Sequence, residues 1–547
     1  MRDWSQRLVA RPLRTLVAFS LVLLVFLTFN LFKSSLYSKV YVLPSGFEAR
    51  SIQARQIKFW QTFLPILHKN GPDCPSPERS GSVPATGFNA EEPPPRPSLV
   101  SMPEANVLKM QQAHTAFLQQ TKSSPDLKPV FIPNSRGAVY TAGGKYLPVF
   151  VISLRMLRRT GSNLPVELFL KDHDEYESSV CDEVIPSLNG RCIVLSDILG
   201  SAVPDSNDSN KHQASRNSNG NKNTKVEIGH YQLKIFAMLF SSFEEIVWID
   251  ADCFPLHKPE ELLDSPPFKL TGMVTWPDFW ISSVSPLYYN ISKQPIPPMG
   301  LRASSETGQI LLSKKTHPTT LLLSTYYNYY GPSHYFALLS QGAPGEGDKE
   351  TFLQAASAAG EPFYATSAPV AAIGHLKANG TLIAGSAMVQ FDPAGEYGNR
   401  QISLTNKNKN NESNSKGDHG RSSRRPVKPI NPPRVSFIHA NFPKFNPATV
   451  FDETFETKPT YRPDGSDGRA WVVARDTIAR FGYDVERTFW EEILWVACEQ
   501  GGKFKSWEGK QGICERVRKY WGNVFGVEGK DEDGVLGLWG AGSKAGA

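Results

Sequence analysis

The chain has little cysteine, and what it has is not spaced for metal. No Cys-x-x-Cys occurs in its 547 residues, so a cysteine zinc site has no support. Charge of one sign is also scarce. The formal net charge is +6, from 59 basic and 53 acidic residues, so no nucleic-acid surface is expected. No internal repeat is visible, which excludes repeat architectures. One long apolar run stands out, Leu16 to Phe32, interrupted only by Ser20, Thr28 and Asn30. At about 17 residues it meets the lower limit for a membrane-spanning helix. Arg2, Arg7, Arg11 and Arg14 precede it and only Lys33 and Lys39 follow closely, which predicts a cytosolic N-terminus. The run ends Leu31-Phe32-Lys33 with no small-residue cleavage site. An uncleaved type II signal anchor is therefore expected rather than a signal peptide. So short a span suits the thinner membranes of the early secretory pathway.

Everything beyond the anchor is then expected in a lumen. Asn207-Asp208-Ser209, Asn290-Ile291-Ser292, Asn379-Gly380-Thr381 and Asn411-Glu412-Ser413 are N-glycosylation acceptors in that setting. The six cysteines are even in number, as an oxidising compartment permits. Cys181 with Cys192 and Cys498 with Cys514 are the nearest pairs, leaving Cys74 and Cys253. Six cysteines nevertheless allow about 15 connectivities.

Composition divides the chain into a cytosolic tail (1–15), the anchor (16–32), a stem (33–128), an α/β catalytic domain (129–460) and a C-terminal helical extension (461–547). The stem reading rests on proline-rich stretches such as Glu92-Pro93-Pro94-Pro95-Arg96-Pro97, with one helical candidate from Glu104 to Thr121. In the catalytic domain strand-like runs alternate with helical ones. Val139–Thr141, Val166–Leu170 and Cys192–Leu195 read as strands. Tyr146–Arg159 and residues 229–241 read as helices. Two polar segments, 206–225 and 406–433, cannot bury a core and are expected as surface loops. Val485–Glu499 and Gly512–Val524 read as amphipathic helices rich in Trp and Phe, expected to pack on the catalytic domain.

The most informative run is Glu244-Glu245-Ile246-Val247-Trp248-Ile249-Asp250-Ala251-Asp252-Cys253-Phe254. Four consecutive apolar residues predict a strand buried on both faces, as in a parallel sheet. It delivers Asp250 and Asp252 at its C-terminal end, where open α/β sheets bind ligands. Two carboxylates there suit a divalent cation completed by substrate phosphates, which would neutralise a diphosphate leaving group. His439 follows the apolar run Val435-Ser436-Phe437-Ile438 and also stands at a strand end. An imidazole beside two carboxylates makes a mixed oxygen and nitrogen site that Mn²⁺ accepts readily.

Four stretches carry a family resemblance. They are Gly137–Leu147, Ile249–Cys253, Glu306-Thr307-Gly308-Gln309 with Gly345–Phe352, and Phe437–Phe445. In their order the chain resembles the fungal Golgi α-mannosyltransferases that build mannan side chains, and more distantly the glycogenin-like retaining transferases. The resemblance implies a GT-A, Rossmann-like nucleotide-sugar fold. It further implies GDP-mannose as donor, Mn²⁺ as cofactor and a mannose-terminated glycan as acceptor, with other Golgi mannosyltransferases as partners. Asp250, Asp252 and His439 become the metal ligands, and Lys234 resembles a donor-binding lysine.

Other residues follow from chemistry. Gly143-Gly144 opens a helix, which lets backbone N–H groups approach a nucleotide, though a plain turn reads the same way. Lys444 can reach the diphosphate as a point charge. Gly345-Glu346-Gly347-Asp348-Lys349-Glu350 lets the backbone bring a carboxylate to a sugar. Asp348 is assigned beside the donor mannose, with Glu346 and Glu350 as second choices. The aromatic runs Trp276–Trp280 and Tyr326–Tyr330 are candidates for stacking on acceptor sugars, or for core.

Retention at the anomeric carbon follows if GDP-α-mannose gives an α-linkage, by a covalent intermediate or by front-face attack, the latter favoured. Three readings stay open. They are an α-mannosyltransferase with α-1,2 ahead of α-1,3, a transferase using another nucleotide sugar, and a membrane-anchored glycan-binding protein without catalysis. Intact Asp250, Asp252 and His439 speak against the last.

Overall fold

A computed structural model describes residues 43–44, 46–200, 228–375, 387–415, 431–452 and 458–526, with 534, 535 and 538. The expected tail and anchor (1–32), the insertion 206–225, and Asn207 and Asn379 lie outside them. Among the described residues no helix is long and apolar enough to cross a membrane.

Two helices precede the sheet, α1 (Gly46–Lys69) and α2 (Glu104–Ser123). Their apolar residues recur at helical spacing: Ile52, Phe59, Phe63 and Leu67 on one, Val107, Met110 and Phe117 on the other. All are buried. Phe117 stacks on Tyr326 with ring centroids 4.4 Å apart. Trp60 Nε1–H donates to Leu199 O at 3.1 Å. The stretch expected as a stem is thus, where described, packed against the α/β domain. Prolines from Pro72 to Pro97 suggested a linker; they lie in the connection between two helices that bury apolar faces.

The α/β domain begins with β1 (Ile132–Thr141), α3 (Leu147–Arg159), β2 (Val166–Leu170) and β3 (Gly190–Val194). Helix α4 (Gln232–Phe240) leads into β4 (Phe243–Ile249), every residue of which is buried. Side chains alternate across this strand. Val247 and Ile249 enter one apolar cluster, and Ile246 and Trp248 the other. There follow β5 (Cys253–Pro255), β6 (Met273–Ile281), β7 (Ala303–Ser313), α5 (Pro318–Tyr329), α6 (Thr351–Ala359) and β8 (Tyr364–Ala365). The main sheet is mixed, in the order β8-β6-β7-β4-β1-β2-β3, with β7 running against the other six.

A second, antiparallel sheet combines β5 with three late strands. These are β9 (Ala371–Ile373), β10 (Ala387–Phe391) and β11 (Val435–His439), in the order β9-β10-β11-β5. Between the last two lies α7 (Pro393–Ser415). Residues 406–415, expected in a polar loop, continue this helix instead, because no proline or glycine interrupts them.

Helices α8 (Val485–Glu499) and α9 (Ile513–Val524) close the fold. Phe489 stacks on Phe254 at 4.8 Å, and Arg155 of α3 pairs with buried Glu492 at 2.5 Å. Disulfides join Cys181 to Cys192 and Cys498 to Cys514, while Cys74 and Cys253 are free.

The packed N-terminal helices give a first prediction. Phe117→Ala removes a ring with no solvent exposure and should cost about 3–5 kcal/mol, seen as a lower urea midpoint. A change within about 0.5 kcal/mol would be the mark of a detached surface segment and would contradict the packing.

Candidate active site

Strand pairing brings residues far apart in sequence to one point. After β4 the chain turns sharply: Asp250 N–H donates to Gly308 O at 2.8 Å, and Cys253 N–H donates back to Asp250 O at 3.0 Å. β5 then pairs with β11 so that His439 lies opposite Cys253, and Ala440 N–H donates to Asp252 O at 2.8 Å. Asp250, Asp252 and His439 thereby place one ligand atom each within 4.8 Å of one another.

Each side chain is held by its surroundings. His439 Nε2 lies 3.1 Å from Asp252 Oδ1, and its Nδ1 lies 2.9 Å from Glu306 Oε1. Glu306 is itself fixed on β7, accepting from Gly308 N–H at 2.5 Å and Gln309 Nε2–H at 2.6 Å. Trp248 Nε1–H donates to Asp250 Oδ1 at 3.1 Å. Lys234 projects from α4, donates to Thr307 O at 2.9 Å, and pairs with Asp250 at 3.1 Å and Asp348 at 3.2 Å. Lys444 pairs with Asp252.

The electrostatics follow from these contacts. Burial opposes a charged His439, but Asp252 and Glu306 outweigh it and push its pKa up to about 10. Burial likewise opposes the Asp252 carboxylate, yet Lys444 and His439 hold it far below the usual range. Lys234 is held above the ordinary lysine range by Asp250 and Asp348 despite its burial. Burial raises the Asp348 carboxyl, with Lys234 pulling the other way. Concentrated negative charge thus draws cationic side chains onto Asp250 and Asp252. Two carboxylates and an imidazole whose far nitrogen is held by a third carboxylate fit a divalent cation such as Mn²⁺.

A cleft of about 1910 Å³ is lined by Lys234, Asp250, Glu306, Asp348, His439 and Lys444 among others, with Asp252 just behind its wall. The glycine-rich loop sorts its own carboxylates. Gly345 at φ +73° and Gly347 at φ +140° adopt backbone that side-chain-bearing residues avoid. The loop turns Asp348 toward Lys234 and sends Glu346 out to Arg79, 2.8 Å away. Glu350 is fully buried, pairs with Arg302 at 3.0 Å and accepts from Ser305 N–H at 2.8 Å. Of the three carboxylates, Asp348 alone lines the cleft; Glu350 braces β7 from behind.

Gly143 and Gly144 lie outside the cleft lining. Gly144 has φ +51°, the left-handed backbone that favours glycine, and a Cβ on Gly143 would meet only the movable Glu175 carboxylate, so a tight turn accounts for the pair. The turn is tied to the segment after β11, since Asn446 Nδ2–H donates to Lys145 O at 2.8 Å. The aromatic runs divide. Tyr326, Tyr327 and Tyr329 are core, and Trp276 is buried with its Nε1–H on Phe391 O at 2.8 Å. Phe279 and Trp280 line the cleft. Sequence reasoning assigned no role to Glu306, whose contact with His439 arises only when β7 and β11 approach across the cleft. Its Glu-Thr-Gly-Gln motif was the available signal.

A family model described as "Mannosyltransferase putative" matches residues 135–299 and 298–392. The chain is 33% identical over 439 residues to alpha-1,2-mannosyltransferase MNN21 of Candida albicans, covering 72% of this chain and 63% of that protein. It is 30% identical over 447 residues to alpha-1,2-mannosyltransferase MNN24 of the same organism, covering 73% and 60%. It is 30% identical over 417 residues to alpha-1,2-mannosyltransferase MNN2 of Saccharomyces cerevisiae, covering 68% and 65%. The chain spans about three fifths of the length of the curated relatives it matches.

The hold of Glu306 on His439 yields a prediction. Glu306→Ala should weaken Mn²⁺ binding by about 10- to 100-fold, measured by calorimetric titration, because the imidazole loses its orienting partner. Unchanged Mn²⁺ affinity would show that Glu306 does not support the site.

Proposed function

The chain is a relative of the fungal α-1,2-mannosyltransferases, and from that premise we propose that it transfers mannose from GDP-mannose to a mannose-terminated glycan with retention, forming α-1,2 linkages, in a GT-A-type site. The observation that carries this reading is the meeting of Asp250, Asp252 and His439 at two strand ends, with Asp348 across Lys234 in the same cleft. Mn²⁺ bound by those three side chains would neutralise the diphosphate as it leaves.

The chain's own residues account for the rest. Asp250 and Asp252 are held rigidly by β4 and by backbone bonds on both sides, so little reorganisation is needed when a ligand arrives. Lys444, with its side chain 40% exposed, can turn from Asp252 toward a phosphate oxygen and add positive charge to the leaving group. As the bond from the mannose anomeric carbon to phosphate breaks, positive charge develops on the sugar. Asp348 supplies the facing negative charge, with Lys234 3.2 Å away opposing the protonation that its burial favours. The acceptor hydroxyl then attacks from the face that GDP leaves, and the departing phosphate oxygen takes its proton.

The same reading extends to place. Anchored by Leu16–Phe32, the catalytic part works in the Golgi lumen; the disulfides Cys181–Cys192 and Cys498–Cys514 support an oxidising compartment.

Purified protein incubated with GDP-mannose, Mn²⁺ and an α-mannoside should give a product that α-1,2-mannosidase removes. Asp250→Ala or Asp252→Ala should lower the rate by about 10²-fold or more. Asp348→Asn should lower kcat while leaving GDP affinity nearly unchanged, the pattern of an interaction made in the transition state. Transfer from a UDP-sugar in place of GDP-mannose, or near wild-type rates in both aspartate variants, would refute the reading.

A further inference from the structure

The Asp-x-Asp strand divides the main sheet. On one side lie the parallel strands β1, β2 and β3, and on the other β7, β6 and β8. Nucleotides bind outside the C-terminal strand ends of such sheets at the switch in strand order, which here falls between β1 and β4. The cleft over β6 and β7 is therefore left for the second substrate.

The sheet alone does not build that half. The register of β6 against β7 shifts between Pro277 and Ile281, which frees Asp278, Phe279 and Trp280 from regular pairing. Polypeptide from before the sheet takes up this edge. Gly87 bridges Trp280, Phe88 N–H donates to Phe279 O at 2.9 Å, and Ile281 N–H donates to Thr86 O at 3.0 Å. The segment is tied down on both sides. Val83 N–H donates to Gln341 O at 3.0 Å, and Arg96 donates to Val284 O at 3.1 Å and Pro297 O at 2.8 Å. Gly87 and Phe88 line the cleft together with Asp278 and Trp280.

The chemistry of this wall is specific. Asp278 Oδ2 lies 3.0 Å from Lys349 Nζ, with the two side chains 12% and 6% exposed. Phe88 and Trp280 are half-buried and line the same cleft. Aromatic faces next to a fixed carboxylate suit a neutral hexose, whose C–H face packs on the rings while its hydroxyls donate to the carboxylate.

We propose that Phe88, Asp278 and Trp280 form the subsite for a mannosyl unit of the acceptor glycan, so that the segment before the catalytic sheet is one wall of the substrate site. The proposal rests on the mannosyltransferase reading and adds to it the residues that select the acceptor. Glu346 fits the same scheme. Its ion pair with Arg79 couples this segment to the loop that carries Asp348.

The test uses Phe88→Ala and Trp280→Ala, both outside the two apolar core clusters, with the near-isosteric Asp278→Asn as a third variant. In the full chain with Mn²⁺, the KM for an α-linked mannobiose should rise about five- to tenfold in each, the loss expected of one good sugar contact. GDP affinity from calorimetry should stay at the wild-type value in all three, and the thermal midpoint should stay there in Phe88→Ala and Trp280→Ala; Asp278→Asn leaves buried Lys349 without its carboxylate and lowers the midpoint. Acceptor KM within about twofold of wild type in all three would overturn the proposal. So would GDP affinity that falls in step with acceptor KM, since the segment would then be a structural prop. A wild-type protein that transfers no mannose from GDP-mannose would overturn the mannosyltransferase reading, and the subsite with it.

Discussion

The site depends on one short piece of β-pairing. Three residues, Cys253–Pro255, leave the main sheet directly after Asp252 and pair with the end of Val435–His439. The two-residue step between Asp250 and Asp252 is thereby clamped at both ends, by Gly308 on one side and Ala440 on the other. Without that clamp, carboxylates this close would repel one another and splay toward water. With it, the chain must supply compensating positive charge, and Lys234, His439 and Lys444 converge for that reason. A cation-binding arrangement is the consequence: negative charge held in place by backbone geometry, and satisfied by lysines and by a proton on His439 that a divalent cation can displace.

The same economy of backbone governs the glycine-rich loop. Two glycines at positive φ in Gly345–Gly347 let successive carboxylates take different directions within five residues. Glu346 goes to the N-terminal segment, Asp348 to the cleft and Glu350 into the core. Replacing either glycine would disturb all three at once, so the loop links the N-terminal segment, the cleft-lining carboxylate and the brace behind β7.

Much of this was legible in the sequence where local pattern decides structure. The run Ile246–Ile249 demanded a strand covered on both faces, and β4 is buried along its whole length. Val166–Leu170 is the strand that its apolar residues predicted, and Val485–Glu499 the helix that its amphipathic spacing predicted. Composition misled where it averaged over pattern. Prolines made residues 33–128 look like a spacer, although Phe59, Phe63 and Leu67 already carried helical spacing. The tyrosines at 326–330 were ambiguous because stacking on a sugar and packing in a core need the same rings, and the core claimed most of them. Glu306 was invisible as a partner of His439, since their contact spans 133 residues and is created by tertiary approach.

On the proposed reading, Asp250, Asp252 and His439 make a cation-dependent site for the diphosphate of a guanine nucleotide. Calorimetric titration of GDP into the purified protein, with Mn²⁺ and again with EDTA, tests it most directly. Binding that requires Mn²⁺, favours GDP over UDP and disappears in His439→Ala is the predicted result. GDP binding of equal strength in EDTA, or undiminished in His439→Ala, would contradict it.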